Sequence, residues 1–243
     1  MSFSEHPIEW DDAKVSRLWN YYARTPPFSG IYFSKCFGDS ILRLCRLPLQ
    51  EPLEVLDFGA GPGFMWDHLL ALGARWNYTA LDFSSDSTNK ARERAIGHAQ
   101  FKGVHQINRL PTSLPAAAFD AVLLVEVLEH LTDEHLNSTL AEAVRLLKRG
   151  GVAVITTPNE EDLSQATKFC PECGAVFHEW QHVRSWSVGG MTARLKQHGL
   201  ELRLAQTLDF TAQGLLAMGI RLARRLLLDS KKPPHIIAVY RKT

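Results

Sequence analysis

Glu54-Val55-Leu56-Asp57-Phe58-Gly59-Ala60-Gly61-Pro62-Gly63-Phe64 joins a short apolar run to a glycine-rich turn and then to an apolar-periodic segment. The order is that of strand, loop and helix. Val55, Leu56 and Phe58 suit a strand buried on both faces, and Gly59, Gly61 and Gly63 let backbone N–H groups approach a ligand where a Cβ would collide. A turn of this kind, opening onto a helix N-terminus, is a nucleotide-binding edge. The spacing is G-x-G-x-G behind an acid, whereas the dinucleotide fingerprint is G-x-G-x-x-G and the phosphate-binding loop requires G-K-[ST] after its spacer. Neither pattern is met. Asp57 at the strand end would repel a pyrophosphate, so the turn suits a cationic ligand with an amino-acid moiety.

Outward from that turn, Phe64 to Leu72 reads as a helix closed by Gly73, and Tyr78 to Ser84 as a second strand with Asp82 near its end. An acid about twenty residues beyond a glycine loop can accept hydrogen bonds from both ribose hydroxyls, which assigns Asp82 to a ribose. Ser84 to Arg94 opens the next helix, Val104 to Ile107 forms a third strand, and Phe119 to Val125 is an apolar fourth. Thr139 to Lys148 is an amphipathic helix with Leu140, Ala143, Val144 and Leu147 on one face, stopped by Arg149-Gly150-Gly151. Val152 to Asn159 is a fifth strand. A Cys/His segment (162–185), a helix (Val188 to Gly199), a strand (Leu200 to Leu208), an apolar-basic insert (211–229) and a closing strand (His235 to Tyr240) follow. This alternation, free of repeats, predicts an α/β fold with a doubly wound parallel sheet and helices on both faces. Ligands of such sheets lie at the carboxyl ends of the strands, where Asp57, Asp82, Glu126 and Asn159 fall.

Residues 1–48 precede the first core strand and are rich in aromatics, among them Trp10, Trp19, Tyr21, Tyr22, Phe28, Tyr32, Phe33 and Phe37. Val15, Leu18, Trp19 and Tyr22 recur at i, i+3, i+4 and i+7 behind Asp11 and Asp12, which predicts a helix ended by Pro26-Pro27. A second helix is expected over Ser34 to Arg46, closed by Pro48. These form an N-terminal helical cap, with 49–243 as the main domain. A chain of 243 residues, 45% hydrophobic, fits one such domain with trimmings, and a net charge of +1 recruits no nucleic acid in bulk. With no secretory leader pattern and no apolar run of about 18 residues, the chain is expected to be soluble and cytoplasmic. Cys36, Cys45, Cys170 and Cys173 then read as thiols rather than a disulfide framework, and the last pair invites a metal or redox role.

At the acid-led glycine turn the chain resembles the class I S-adenosylmethionine-dependent methyltransferases. The resemblance is carried by residues 53–160 through their motifs and by the remainder through topology alone. It implies a Rossmann-like, seven-stranded, mostly parallel sheet, and S-adenosylmethionine contacts at Asp57, Phe58, Gly59, Ala60, Gly61, Gly63, Asp82, Phe83, Arg109, Leu110 and Glu126. Family members often place an acid for the adenine amino group where this chain has Leu110, which leaves backbone groups near Arg109 and Leu110, or Asn108, as substitutes. The N-terminal segment of such enzymes often lies over the cofactor; the alternative is that its aromatics pack as core against the sheet edge. The implied reaction is methyl transfer to a small-molecule or lipid-linked acceptor, at oxygen because acids and histidines gather after the fourth and fifth strands. Glu126, His130, His178 and His182 are the candidate bases. The rival outside enzymology is a binding module on the same fold, for which Leu110 speaks and the intact Asp57, Asp82 and glycine loop speak against.

Two constellations invite a metal. Glu126, Glu129 and His130 share one face if a helix starts at Glu126. Together with His182, Trp186 and Ser187 they are similar to the pattern of the small-RNA 3′-end 2′-O-methyltransferases, in which two Glu and two His hold a divalent ion. E-V-L-E-H is equally at home in methyltransferases without metal, where the histidine packs under the sheet. The second constellation is Cys170-x2-Cys173-x4-His178-x3-His182, whose two thiolates and two imidazoles suit tetrahedral Zn²⁺ as a structural clip. His182 cannot serve both. Lastly, Leu215, Leu216, Met218, Ile220 and Leu222 beside Arg221, Arg224 and Arg225 describe either a lid or contact helix or a peripheral membrane contact.

Overall fold

The structure is a computed structural model that describes residues 4–211 and 233–243. In chain order it runs β1 (His6–Pro7), α1 (Asp12–Arg24), α2 (Phe33–Leu44), β2 (Glu54–Phe58), α3 (Phe64–Ala71), β3 (Asn77–Asp82), α4 (Ser85–Arg94), β4 (Phe101–Gln106) and β5 (Phe119–Val125). It continues with α5 (Asp133–Leu146), β6 (Leu147–Pro158), β7 (Thr167–Phe169), β8 (Ala175–His178), α6 (Val188–Lys196), β9 (Leu200–Leu208) and β10 (His235–Lys242). The seven-stranded sheet has the order β4-β3-β2-β5-β6-β10-β9. Only β10 runs against its neighbours β6 and β9. Strand order reverses between β2 and β5, which opens the crevice where such sheets bind ligands.

Period-two alternation builds the layers on each side. Ala121, Leu123 and Val125 of β5 join Ile41 and Leu42 of α2 and Met65, Trp66 and Leu69 of α3. Val122 and Leu124 face the other way, into Leu136, Leu140, Ala143 and Leu146 of α5 and Met191 and Leu195 of α6. Both faces of β5 are therefore buried, which is why its sequence is apolar rather than alternating. Ser84 starts α4 and Asp11 starts α1 by accepting hydrogen bonds from Ser87 N–H and Lys14 N–H.

Two local expectations fail. No helix begins at Glu126: residues Leu128–His130 form a single 3₁₀ turn, Glu126 itself has φ +52°, and α5 opens only at Asp133, behind Thr132 and with Asp133 and Glu134 in its first turn. The helix expected over Thr139 to Lys148 is thus earlier and longer, ending at Leu146, and β6 starts at once with Leu147.

The Cys/His segment folds as a second, three-stranded sheet in the order β1-β8-β7. Its hairpin turn carries Cys170 and Cys173, closed by Gly174 N–H to Cys170 O at 2.9 Å. His178 pairs with Thr167 at the far end of that hairpin. At about 3.3 Å per residue, β8 carries His178 roughly 10 Å away from the turn. The Cys170/Cys173/His178/His182 zinc set is therefore not assembled, and both histidines cluster with Glu161 instead. The double substitution Cys170→Ser/Cys173→Ser is expected to leave cofactor affinity within about twofold, measured by calorimetry, because the turn lies outside the cavity. Apart from Thr211, the 211–229 insert lies outside the described residues.

Candidate active site

A cavity of about 1310 Å³ opens at the carboxyl ends of β2, β3, β5 and β6. Ligand pockets commonly span about 300–1,000 Å³, so this one has room for a cofactor and a second molecule.

Its first end is built from backbone. Gly59 N–H and Ala60 N–H both donate to Leu81 O, at 2.7 and 3.1 Å, tying the loop to β3. Gly61 N–H donates to Asp82 Oδ2 and Ser84 N–H to Asp82 Oδ1, both at 2.8 Å. Gly59 and Gly61 have φ +85° and +53°. A Cβ on Gly59 would stand 2.6 Å from Val127 Cγ2, and one on Gly61 3.2 Å from the Tyr32 ring. Glycine is thus required for both conformation and space. Phe58, Phe83, Asn108, Arg109 and Leu110 line the same end, while Gly63 lies outside the lining and starts α3 in the left-handed region. Tyr32 contributes a buried hydroxyl with no hydrogen-bond partner among the described residues. A cradle closed to side chains, an acid whose remaining lone pairs face it, and an orphaned hydroxyl together fit an adenosyl group linked to an amino acid.

Asp57 is not in that cradle. Its carboxyl is 1% exposed and accepts the Tyr78 hydroxyl at 2.5 Å, beneath the loop. Burial pushes it up to about 7, against the lowering effect of Tyr78, and burial likewise raises Asp82 to about 6 against the Ser84 and Gly61 N–H groups.

The second end is a floor of acids and imidazoles. Glu126 lines it, with Oε1 buried and unpartnered and Oε2 4.0 Å from His235 Nε2. Burial, reinforced by Glu161, pushes Glu126 up to about 8 against the Thr156 hydrogen bond. Glu129 is 1% exposed and accepts Thr157 Oγ–H at 3.1 Å, while its Oε1 accepts no hydrogen bond and lies 3.9 Å from His130 Nε2. Burial and Glu126 hold it well above the carboxylate range. His130 packs edge-on to Trp19, with ring centroids 5.0 Å apart, and burial with the neighbouring His182 pushes it down to about 3. It is a neutral ring on the cavity wall, not one tucked under the sheet. His182 also lines the cavity, with Nδ1 2.5 Å from Glu161 Oε2. His178, expected to face the cavity, is instead buried behind His182, the two rings stacked at 4.5 Å and 17°.

The N-terminal segment closes this end. Trp10, Trp19, Tyr22, Phe28, Tyr32 and Phe33 line the cavity. Trp19 Nε1–H donates to Gln181 Oε1 at 3.0 Å, and Gln181 Nε2–H donates to His130 O at 2.8 Å. Tyr22 Oη–H donates to Glu179 O at 2.5 Å. Glu161 and Gln181 are site residues that sequence reasoning passed over, since neither belongs to a spaced motif, whereas Tyr32 was named only as one of the N-terminal aromatics.

These buried acids set a stability trend. Above about pH 7.5 the lowered histidines are neutral in both states, whereas Glu126, and Asp57 in part, hold protons only in the fold. The native state therefore binds more protons there, and stability falls as pH rises. Ligand-free protein is expected to melt a few degrees lower at about pH 9 than at about pH 7.5, from a loss on the order of 1 kcal/mol. A melting temperature that rises over that interval would contradict these burial effects.

A family model described as a methyltransferase domain matches residues 31–205. The chain belongs to the class I S-adenosylmethionine-dependent methyltransferases. The ubiquinone biosynthesis O-methyltransferase of Rhodopseudomonas palustris is 28% identical over 165 residues, which are 66% of this chain and 62% of that protein. The chain thus spans about 62% of the length of this curated relative. Among solved structures, the putative methyltransferase of Haloferax volcanii in complex with the Trm112 activator has a TM-score of 0.67 at 17% identity, covering 96% of this chain and 99% of its own. The Burkholderia thailandensis 1,6-didemethyltoxoflavin-N1-methyltransferase, solved with S-adenosylhomocysteine, has a TM-score of 0.62 at 16% identity, covering 100% and 94%. Both share the fold.

Proposed function

We propose that the chain transfers the methyl group of S-adenosylmethionine to a hydroxyl oxygen of a small-molecule or lipid-linked acceptor. The observation that carries this is one continuous cavity with the glycine loop and Asp82 at one end and His130 and His182 at the other. Bound at the first end, S-adenosylmethionine supplies a methyl group already activated by positive sulfur. The protein's part is to align the acceptor, exclude water and take the hydroxyl proton. His182 is the base, because it lines the acceptor end; Glu126 and Glu129, kept protonated by burial, are poor proton acceptors near neutral pH. The O-methyltransferase relative supports oxygen as the acceptor atom. Aromatic walls from Trp10, Trp19 and Tyr22 suit a ring-bearing or lipidic acceptor.

Calorimetry with S-adenosylmethionine and mass analysis of small molecules co-purifying with the protein test this reading. Saturable heat and a bound hydroxylated molecule that gains one methyl are expected. No heat would favour the binding module.

A second reading has one specific observation behind it. Ligand atoms of Glu129, His130 and His182 lie within 4.8 Å of one another, so these residues, with Glu126 nearby, are arranged to hold a divalent ion that lowers a hydroxyl pKa. On RNA 3′ ends, however, the phosphates would meet a lining that includes Asp11, Asp12, Glu134 and Asp162, with Arg109 at the opposite end. The small-molecule acceptor is therefore preferred. Methylation of RNA 3′ ends that stops on chelation would reverse that preference.

A further inference from the structure

We infer that Glu161 is a positioning residue that fixes the tautomer of His182, and so decides whether the ring nitrogen facing the acceptor carries a proton. The inference rests on the methyl-transfer reading for its purpose, but its test needs neither cofactor nor acceptor.

Glu161 follows β6 on a tethered turn. Asn159 N–H donates to Pro234 O at 2.8 Å and Glu160 N–H to Trp186 O at 2.6 Å, so the carboxylate is delivered from a fixed backbone. Its Oε2 lies 2.5 Å from His182 Nδ1, a separation that requires a proton between them. Its Oε1 lies 3.5 Å from His178 Nε2. The tautomer of His178 follows from its other nitrogen: the Trp180 and His182 N–H groups both point at His178 Nδ1, at 3.3 Å. Two donors require an acceptor, so His178 carries its proton on Nε2, the nitrogen that faces Glu161. Glu161 Oε2 thus accepts the His182 Nδ1–H, while its Oε1 faces the His178 Nε2–H at the longer separation of 3.5 Å.

The consequence falls on the far side of the His182 ring. With Nδ1 protonated and held by Glu161, Nε2 keeps its lone pair. A free neutral histidine prefers the opposite tautomer, in which Nε2 carries hydrogen and can only donate. Without Glu161, His182 would offer the acceptor hydroxyl a donor; with Glu161 it offers a proton acceptor. In the step this allows, the hydroxyl proton passes to His182 Nε2, and the positive charge that develops on the ring is balanced by the Glu161 carboxylate. The stacked His178 backs the His182 ring from the side away from the cavity.

Long-range ¹H–¹⁵N correlation spectra of histidine-labelled protein, which distinguish the two neutral tautomers from each other and from the cation, test this. His182 is assigned among the ten histidines by its loss in His182→Gln. The wild-type protein should show His182 protonated at Nδ1 and bare at Nε2. Glu161→Ala should move the proton to Nε2, and Glu161→Asp should restore the wild-type pattern. A wild-type His182 protonated at Nε2, or a pattern unchanged in Glu161→Ala, overturns the inference. If Glu161→Ala does not fold, the wild-type spectrum and Glu161→Leu, which fills the space but has no acceptor, decide it by the same criterion. Failure of the wild-type protein to bind S-adenosylmethionine would count against methyl transfer while leaving this assignment standing.

Discussion

Asp82→Ala is expected to weaken S-adenosylmethionine binding at least tenfold in calorimetry, with the protein still folded. Asp82 has two duties. Its oxygens accept Gly61 N–H and Ser84 N–H, which shape the loop, and its remaining lone pairs face the cavity. A hydrogen bond to a charged acceptor is worth about 1.5–3 kcal/mol, so loss of a single ribose contact already accounts for a factor of ten. Asp82→Asn separates the two duties only in part, because its amide must set an N–H against either Gly61 N–H or Ser84 N–H. Gly61→Val acts through the other partner: at φ +53° and with a Cβ 3.2 Å from Tyr32, it both strains the turn and fills the cradle. Unchanged affinity in Asp82→Ala removes Asp82 from the site, and intact binding in Gly61→Val removes the loop.

Asp82 was legible because its position depends on one local relation, a strand end set about twenty residues past a glycine turn. The sheet was legible for a similar reason. Val55-Leu56 and Ala121 to Val125 are apolar on consecutive residues, which a strand buried on both faces requires, and the helix after the glycine loop stops before Gly73. The seven-stranded, mostly parallel character of the sheet followed from the family resemblance, whereas the strand order and the antiparallel β10 had no residue pattern to announce them.

Asp57 shows where such reasoning stops. Strand-end position placed it with the ligand, yet the pleat turns Phe58 to the cavity and Asp57 away from it, to the Tyr78 hydroxyl on β3. The Glu126/Glu129/His130 spacing misled in a different way. A helical face was expected, but a left-handed Glu126 and a 3₁₀ turn replace it, and Glu129 and His130 meet His182 by tertiary packing instead. Glu161 had no legible signal at all. It sits in Glu160-Glu161-Asp162, a stretch with the look of a solvated turn, and its partner is 21 residues away. The cysteine turn failed because spacing counts residues, whereas an intervening strand converts residues into distance.

His182→Ala is expected to lower turnover by about 10²–10⁴, the range of a lost general base, while S-adenosylmethionine affinity stays within about threefold. The asymmetry follows from the cavity. Asp82 and Gly61 lie at one end and His182 at the other, so the substitution removes an interaction with the acceptor alone. His178→Ala provides the contrast. That ring is buried and shares Glu161 with His182, so its loss leaves a cavity and an under-supported carboxylate, and the expected effect is on melting temperature first and on turnover second. Glu161→Asp should sit between wild type and His182→Ala in turnover, because it keeps the charge but shortens its reach. If His182→Ala instead unfolds the protein and releases a metal ion, then His182 is a structural ligand with Glu129 and His130. If it leaves turnover intact, the proton must go to Glu126 or His130. Glu126 would then act only above about pH 8, where its carboxyl ionises, and His130, pushed down to about 3, would accept a proton only weakly. A rate that rises steeply through about pH 8 would identify Glu126, and a flat profile from about pH 5 upward would identify His130.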